Sequence, residues 1–116
     1  MAKSIRTIIS NGSKSLYKDG ELHREDGPAV EYFNGSQIWY LNGKCHRMNG
    51  PAVELFDGYR AWWRQGEIHR EDGPAIQRPD GTAEWYLNNK LIAREEKPEN
   101  WNELVLLAQI EQIMNE

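Results

Sequence analysis

The chain repeats itself every 23 residues. His23-Arg24-Glu25-Asp26-Gly27-Pro28-Ala29 returns as His46-Arg47-Met48-Asn49-Gly50-Pro51-Ala52 and again as His69-Arg70-Glu71-Asp72-Gly73-Pro74-Ala75. A fixed period of this length marks a repeat architecture, in which each unit buries its apolar surface against the next. All ten glycines fall on three slots of the unit: Gly12, Gly35, Gly58 and Gly81; Gly20, Gly43 and Gly66; Gly27, Gly50 and Gly73. Glycine held to fixed slots sets turns, so the pattern constrains the fold far more than it constrains any chemistry.

The turns predict β-structure. Asn11-Gly12, Asp19-Gly20, Asn34-Gly35, Asn42-Gly43, Asp57-Gly58 and Asp80-Gly81 lie between short alternating segments, and such pairs supply the positive φ of two-residue type I′ hairpins. Gln65-Gly66 and Asn88-Asn89 fill the same role with weaker chemistry. Two-residue turns would set Val30 opposite Trp39, Val53 opposite Trp62 and Ile76 opposite Trp85. They would also set Trp39 opposite His46 and Tyr40 opposite Cys45.

The terminal units decay, as capping units do. Leu16 stands in the tryptophan slot, and residues 4–10, with Ile5, Ile8 and Ile9, supply a starting strand. After Pro98 the pattern turns helical. Asn100 and Glu103 form a capping-box-like pair, and Leu104, Leu107, Ile110 and Met114 make a stripe widened by Val105, Leu106, Ala108 and Ile113. The helix is read as a lid over the last strands, or as one that also meets a second copy or a partner.

The expected fold is therefore mainly β: a single extended antiparallel β-meander of 23-residue repeats with one C-terminal amphipathic α-helix. One domain covers 1–116. It comprises an N-terminal cap and partial repeat (1–19), full repeats over 20–42, 43–65 and 66–88, a degenerate repeat and linker (89–99), and the helix (100–116).

With 116 residues, 39% hydrophobic and 28% charged, the chain suits one soluble domain with a modest core. A net charge of -4 argues against generic nucleic-acid binding. The single Cys45 excludes an internal disulfide and fits a reducing compartment. No apolar run is long enough to span a bilayer, and the start Met1-Ala2-Lys3-Ser4 lacks a signal-peptide core. A cytoplasmic location without membrane contact is expected.

Trp39-Tyr40-Leu41-Asn42-Gly43-Lys44-Cys45-His46, followed by Gly50 and Asp57-Gly58, resembles the MORN repeat. The resemblance covers residues 12–91, with His-Arg-x-x-Gly-Pro-Ala in place of a shorter glycine-rich turn. That variant is similar to repeats of phage and giant-virus proteins. The resemblance implies an extended antiparallel sheet used for protein contacts and dimerisation.

Several constellations invite a chemical reading. His23, His46 and His69 share one register, but stand a repeat apart along an axis. Zinc draws its ligands to about 2.0–2.3 Å around a point. Ile92 occupies the same slot in the last unit, so the histidines are read as structural, a ring nitrogen tied to the loop. Glu25-Asp26 and Glu71-Asp72 cannot serve one bond, and Asp or Asn before Gly suits a turn. Arg24, Arg47 and Arg70 are expected to reach the neighbouring loop's carboxylates, and Cys45 to be a small core hydrophobe. No catalytic, metal or cofactor-binding residue is assigned, and the chain is not read as an enzyme.

Departures from the repeat are the better guide to function. Met48-Asn49, Leu55-Phe56, Tyr59, Arg60, Arg64 and the doubled Trp62-Trp63 break the consensus in the second and third units. Aromatic residues and arginine are typical of interface hot spots. Met48, Phe56, Tyr59, Arg60 and Arg64 are the candidate partner-binding residues. The expected function is a non-enzymatic protein-binding module, a small phage-type inhibitor that blocks a host defence or toxin complex by masking its surface, with homodimerisation through the helix as a second contact. The alternative is a nucleic-acid mimic or single-strand binder; it ranks lower because acidic residues are interleaved with Arg and Lys.

Overall fold

Two kinds of turn organise the structure, a computed structural model that describes residues 4–115. Residues 1–3 of the expected cap and Glu116 at the end of the expected helix lie outside the described residues. At Asn11-Gly12, Asp19-Gly20, Asn42-Gly43, Gln65-Gly66 and Asn88-Asn89 both central residues hold φ between 49° and 83°, the type I′ geometry. At the other three turns only the glycine is left-handed, with Gly35, Gly58 and Gly81 at φ 92°, 100° and 89°. Here the Gly35 N–H donates to the Tyr32 carbonyl and the Tyr32 N–H to that of Ser36. The Asn34 side chain accepts from the Ser36 N–H at 2.9 Å. Asp57 and Asp80 do the same for Tyr59 and Thr82. These are three-residue loops with a bulge, so the register slips by one from that expected of two-residue turns. Val30 faces Ile38, Val53 faces Ala61 and Ile76 faces Glu84, in place of the three tryptophans.

Fourteen strands follow among the described residues. They begin with β1 (Ile5–Ser10), β2 (Ser13–Lys18) and β3 (Glu21–Leu22). Next come β4 (Val30–Glu31), β5 (Gln37–Ile38), β6 (Tyr40–Leu41) and β7 (Lys44–Cys45). These recur as β8 (Val53–Glu54), β9 (Arg60–Ala61), β10 (Trp63–Arg64) and β11 (Glu67–Ile68), and the chain ends its sheet with β12 (Ile76–Gln77), β13 (Ala83–Leu87) and β14 (Lys90–Arg94). All pairings are antiparallel, in the order β1-β2-β4-β5-β8-β9-β12-β13-β14, with β3 on β2 and the ribbons β6-β7 and β10-β11 beside the main sheet.

Trp39 and Trp62 are the points where the chain leaves the sheet for a ribbon. The Trp39 N–H donates to Ala52 of the next unit, while its carbonyl accepts from His46 across the ribbon turn; Trp62 repeats this with Ala75 and His69. The expected pairings of Trp39 with His46 and Tyr40 with Cys45 are thus present. In the last unit β13 runs unbroken, and a bulge sets Trp85 opposite Ala93. Ile92 therefore does not take the histidine place beside Trp85.

The result is a slab of 46 × 38 × 17 Å. Its interior is thin: Ala29, Ala52, Ala61 and Ala75 are fully buried, with Val30 and Ile76 beside them. The larger core lies at the carboxyl end, where Trp85 and Leu87 meet Trp101 and Ala108 of α1 (Trp101–Met114). Leu104 and Val105 complete that contact, an i, i+3, i+4, i+7 face. Of the widened stripe expected to pack, Leu104, Val105 and Ala108 do; Leu107, Ile110 and Met114 are exposed, with Leu106 and Ile113. The capping box does not form either, since Asn100 makes no side-chain cap bond. No helix among the described residues is long and apolar enough to cross a membrane.

Candidate partner-binding grooves

Each His-Arg-x-x-Gly-Pro-Ala segment is a loop closed by its own arginine. Arg70 donates from Nη1 to the Pro74 carbonyl at 3.1 Å and from Nε to Asp72 at 2.9 Å. Its guanidinium carbon lies 3.8 Å from the centre of the Trp62 ring. A Cβ on Gly73 would come within 2.7 Å of that carbon. The glycine leaves room for the guanidinium, and the guanidinium covers the indole. Arg47 lies 4.1 Å over Trp39 and bonds Pro51 and Glu54, whereas Arg24, with Leu16 in the tryptophan slot of its unit, bonds Pro28, Asp26 and Glu31. The arginines thus bind carboxylates within their own unit, not those of the neighbouring loop.

Each histidine ties its loop to the turn that closes the same 23-residue unit. The backbone N–H groups of Asn42, Gln65 and Asn88 each donate to Nδ1 of the histidine 19 residues earlier, all at 2.9 Å. Each ring therefore carries its proton on Nε2 when neutral. Burial, helped by the Arg64 charge, holds the His46 and His69 pKa below the ordinary value; for His69 the Glu71 carboxylate opposes this without reversing it. Burial also pushes Glu71 up, but bonds from His69 and Gln109, with the His69 and Arg64 charges, leave its pKa lowered. Burial pushes the Cys45 thiol up to about 12, which leaves it protonated and unreactive at neutral pH.

Between successive loops run open grooves, one per unit. The first lies over Leu16 and Tyr17 against Arg24. The second, of about 470 Å³, has Trp39 and Leu41 as floor, with Glu25 and Asp26 on one wall and His46 and Met48 on the other. The third, of about 630 Å³, has Trp62 and Arg64 as floor between Met48-Asn49 and Glu71-Asp72. The corresponding place in the last unit is filled by the protein itself. Ala93, which the bulge sets opposite Trp85, brings no guanidinium over that ring, and Trp101 of α1 packs on it instead, with centroids 4.9 Å apart and planes at 72°. Its Nε1–H donates to the Glu71 carbonyl at 2.7 Å, Gln109 donates to the Glu71 carboxylate, and Asn88 donates to the Ala108 carbonyl.

The five candidate residues divide into two groups. Met48, 71% exposed, and Arg64, 3.6 Å from Glu71, line the third groove together. Phe56, Tyr59 and Arg60 sit instead on and beside the three-residue loop joining β8 to β9. Phe56 and Arg60 are exposed, and Tyr59 is half-buried. Phe33 occupies the same slot as Phe56 one repeat earlier and is 78% exposed; the period would have found it. Trp39, His46 and Arg47 also line the open grooves, although their repetition gave them the appearance of scaffold alone. Among the described residues no three or more His, Cys, Asp or Glu gather closely enough to hold a metal ion.

Comparison with protein-family models, curated proteins and solved structures gave no match.

Proposed function

We propose that this chain is a non-enzymatic protein-binding module that takes a partner into the open grooves over Trp39 and Trp62 and masks the surface it holds. One observation carries the reading. The fourth place in the row is occupied by an aromatic anchor on a helix, Trp101, bonded to a loop carbonyl. The open grooves carry the equivalent tryptophans, each under its own arginine, with the exposed Met48 and the semi-exposed Arg64 lining the third. Aromatic and arginine-rich pockets of this sort are where interface energy concentrates. The MORN-like pattern at Trp39–His46 supports a protein-contact role, and a cytoplasmic phage-type inhibitor of a host defence or toxin complex is the setting we propose.

The single-strand nucleic-acid reading is disfavoured by the arginines that already cover the Trp39 and Trp62 rings, since base stacking needs open aromatic faces. A second contact, self-association through α1, is favoured by its exposed Leu106, Leu107, Ile110, Ile113 and Met114.

The test is affinity capture from cell lysate with and without nuclease. The reading expects a nuclease-insensitive protein partner. Met48→Ala/Arg64→Ala should weaken its capture at least tenfold, whereas Phe33→Ala/Phe56→Ala should leave it unchanged. Capture abolished by nuclease, or insensitive to the groove variant, contradicts the reading.

A further inference from the structure

Resting on that groove reading, we propose that the middle loop is a receptor for a carboxylate side chain of the partner, an Asp or Glu presented beside an apolar residue. The two flanking loops show what the middle one lacks. In them the histidine Nε2 faces a carboxylate of its own loop, at 3.6 Å for His23 and Glu25 and at 2.8 Å for His69 and Glu71. The arginine Nε does likewise, with Asp26 at 3.0 Å and Asp72 at 2.9 Å. The middle loop places Met48 and Asn49 at those two positions.

Nothing else in the loop has changed to compensate. Gln65 still donates to His46 Nδ1 at 2.9 Å, so Nε2 keeps its proton as a donor. Arg47 still holds Pro51 and Glu54 through Nη1 and still covers Trp39. Among the described residues, no carboxylate pairs with His46, and Arg47 meets one only through Nη1. Two neighbouring N–H donors therefore line the second groove without the acceptors that both sister loops provide, and a charge-assisted bond is the strong way to satisfy such donors. The exposed Met48 side chain supplies an apolar contact beside them. A single carboxylate fits better than a phosphate, because Glu25 and Asp26 form the opposite wall and would repel a dianion.

The probe is acetyl-Leu-Glu-amide, which presents one carboxylate beside an apolar side chain, followed by NMR of the three imidazoles. The His46 resonances should shift and saturate while those of His23 and His69 hold still, and acetyl-Leu-Gln-amide should shift none. Met48→Glu/Asn49→Asp, which gives the middle loop its sisters' carboxylates and so keeps a fold the chain already tolerates twice, should weaken the probe at least tenfold. A His46 signal that does not move, three histidines that move together, or a double variant that binds as well as the parent overturns the inference. A captured protein that needs Met48 and Arg64 yet binds the double variant as tightly as the parent overturns the carboxylate and leaves the groove reading intact. Dipeptide binding at His46 with no protein captured overturns the groove reading alone.

Discussion

At the scale of single residues, the unit is held by an arginine that touches a glycine, a tryptophan and its own loop at once. Gly73 is required for space, since a Cβ would stand 2.7 Å from the Arg70 guanidinium carbon. Gly73→Ala should cost about 2 kcal/mol in urea unfolding, from lost charge-assisted bonds and the cation–π contact. The same change made in an Arg70→Ala background should cost about 0.5 kcal/mol or less, because the clash is gone. Equal costs in both backgrounds would refute this account of the glycine. The histidines set a pH dependence. Burial holds His46 and His69 below the ordinary value of 6.5, so the unfolded chain takes up protons first as pH falls. Their contribution is complete above that value and is lost as pH falls through the lowered folded values. Urea midpoints should drop as pH falls below about 6.5. His69→Ile should flatten that slope and also cost about 1–3 kcal/mol, by leaving the buried Asn88 N–H without an acceptor. The aligned Ile92 makes this substitution look harmless in the sequence, but the bulge at Trp85 keeps Ile92 out of the place it aligns with.

At the scale of elements, the hairpins and the helix differ in how far they could be read. The period and the turn pairs were enough for an antiparallel meander with a helix after it. The registers at Asn34-Gly35, Asp57-Gly58 and Asp80-Gly81 were not legible, because the same dipeptide serves a two-residue turn and a three-residue bulged loop. What separates them is a side-chain bond to the residue two places on, and it leaves no mark in the dipeptide. The helix misled in another way. It is apolar on both sides, so periodicity gave one over-wide stripe, and the part that packs is set by Trp101 finding Trp85 bare of arginine. Trp101→Ala should therefore cost about 3–5 kcal/mol and release α1, seen as faster amide exchange in the helix with the sheet unaffected. Leu107→Ala should stay within about 0.5 kcal/mol while reducing any self-association measured by sedimentation. If Leu107→Ala destabilises the fold as much as Trp101→Ala, the buried face has been assigned wrongly.

At the scale of the whole molecule, a slab only 17 Å thick has little interior and much surface to present. Repetition gives that surface a row of grooves, the last closed by the chain's own helix and the middle ones left open. The sequence announced part of this site through Met48-Asn49 and Arg64. It hid the rest, because Trp39, His46 and Arg47 recur in register and a single loop's lost carboxylates matter only once its sisters are seen to keep theirs. The most direct measurement places a photo-crosslinking amino acid at position 48, 56 or 110 in separate copies of the chain and exposes each to cell lysate. These positions report the groove rim, the loop beyond β8 and the outer face of α1. The account predicts one partner adduct that survives nuclease and forms from position 48, with position 110 giving at most a dimer of the chain itself. A partner adduct from position 56 or 110 and none from position 48 would contradict it.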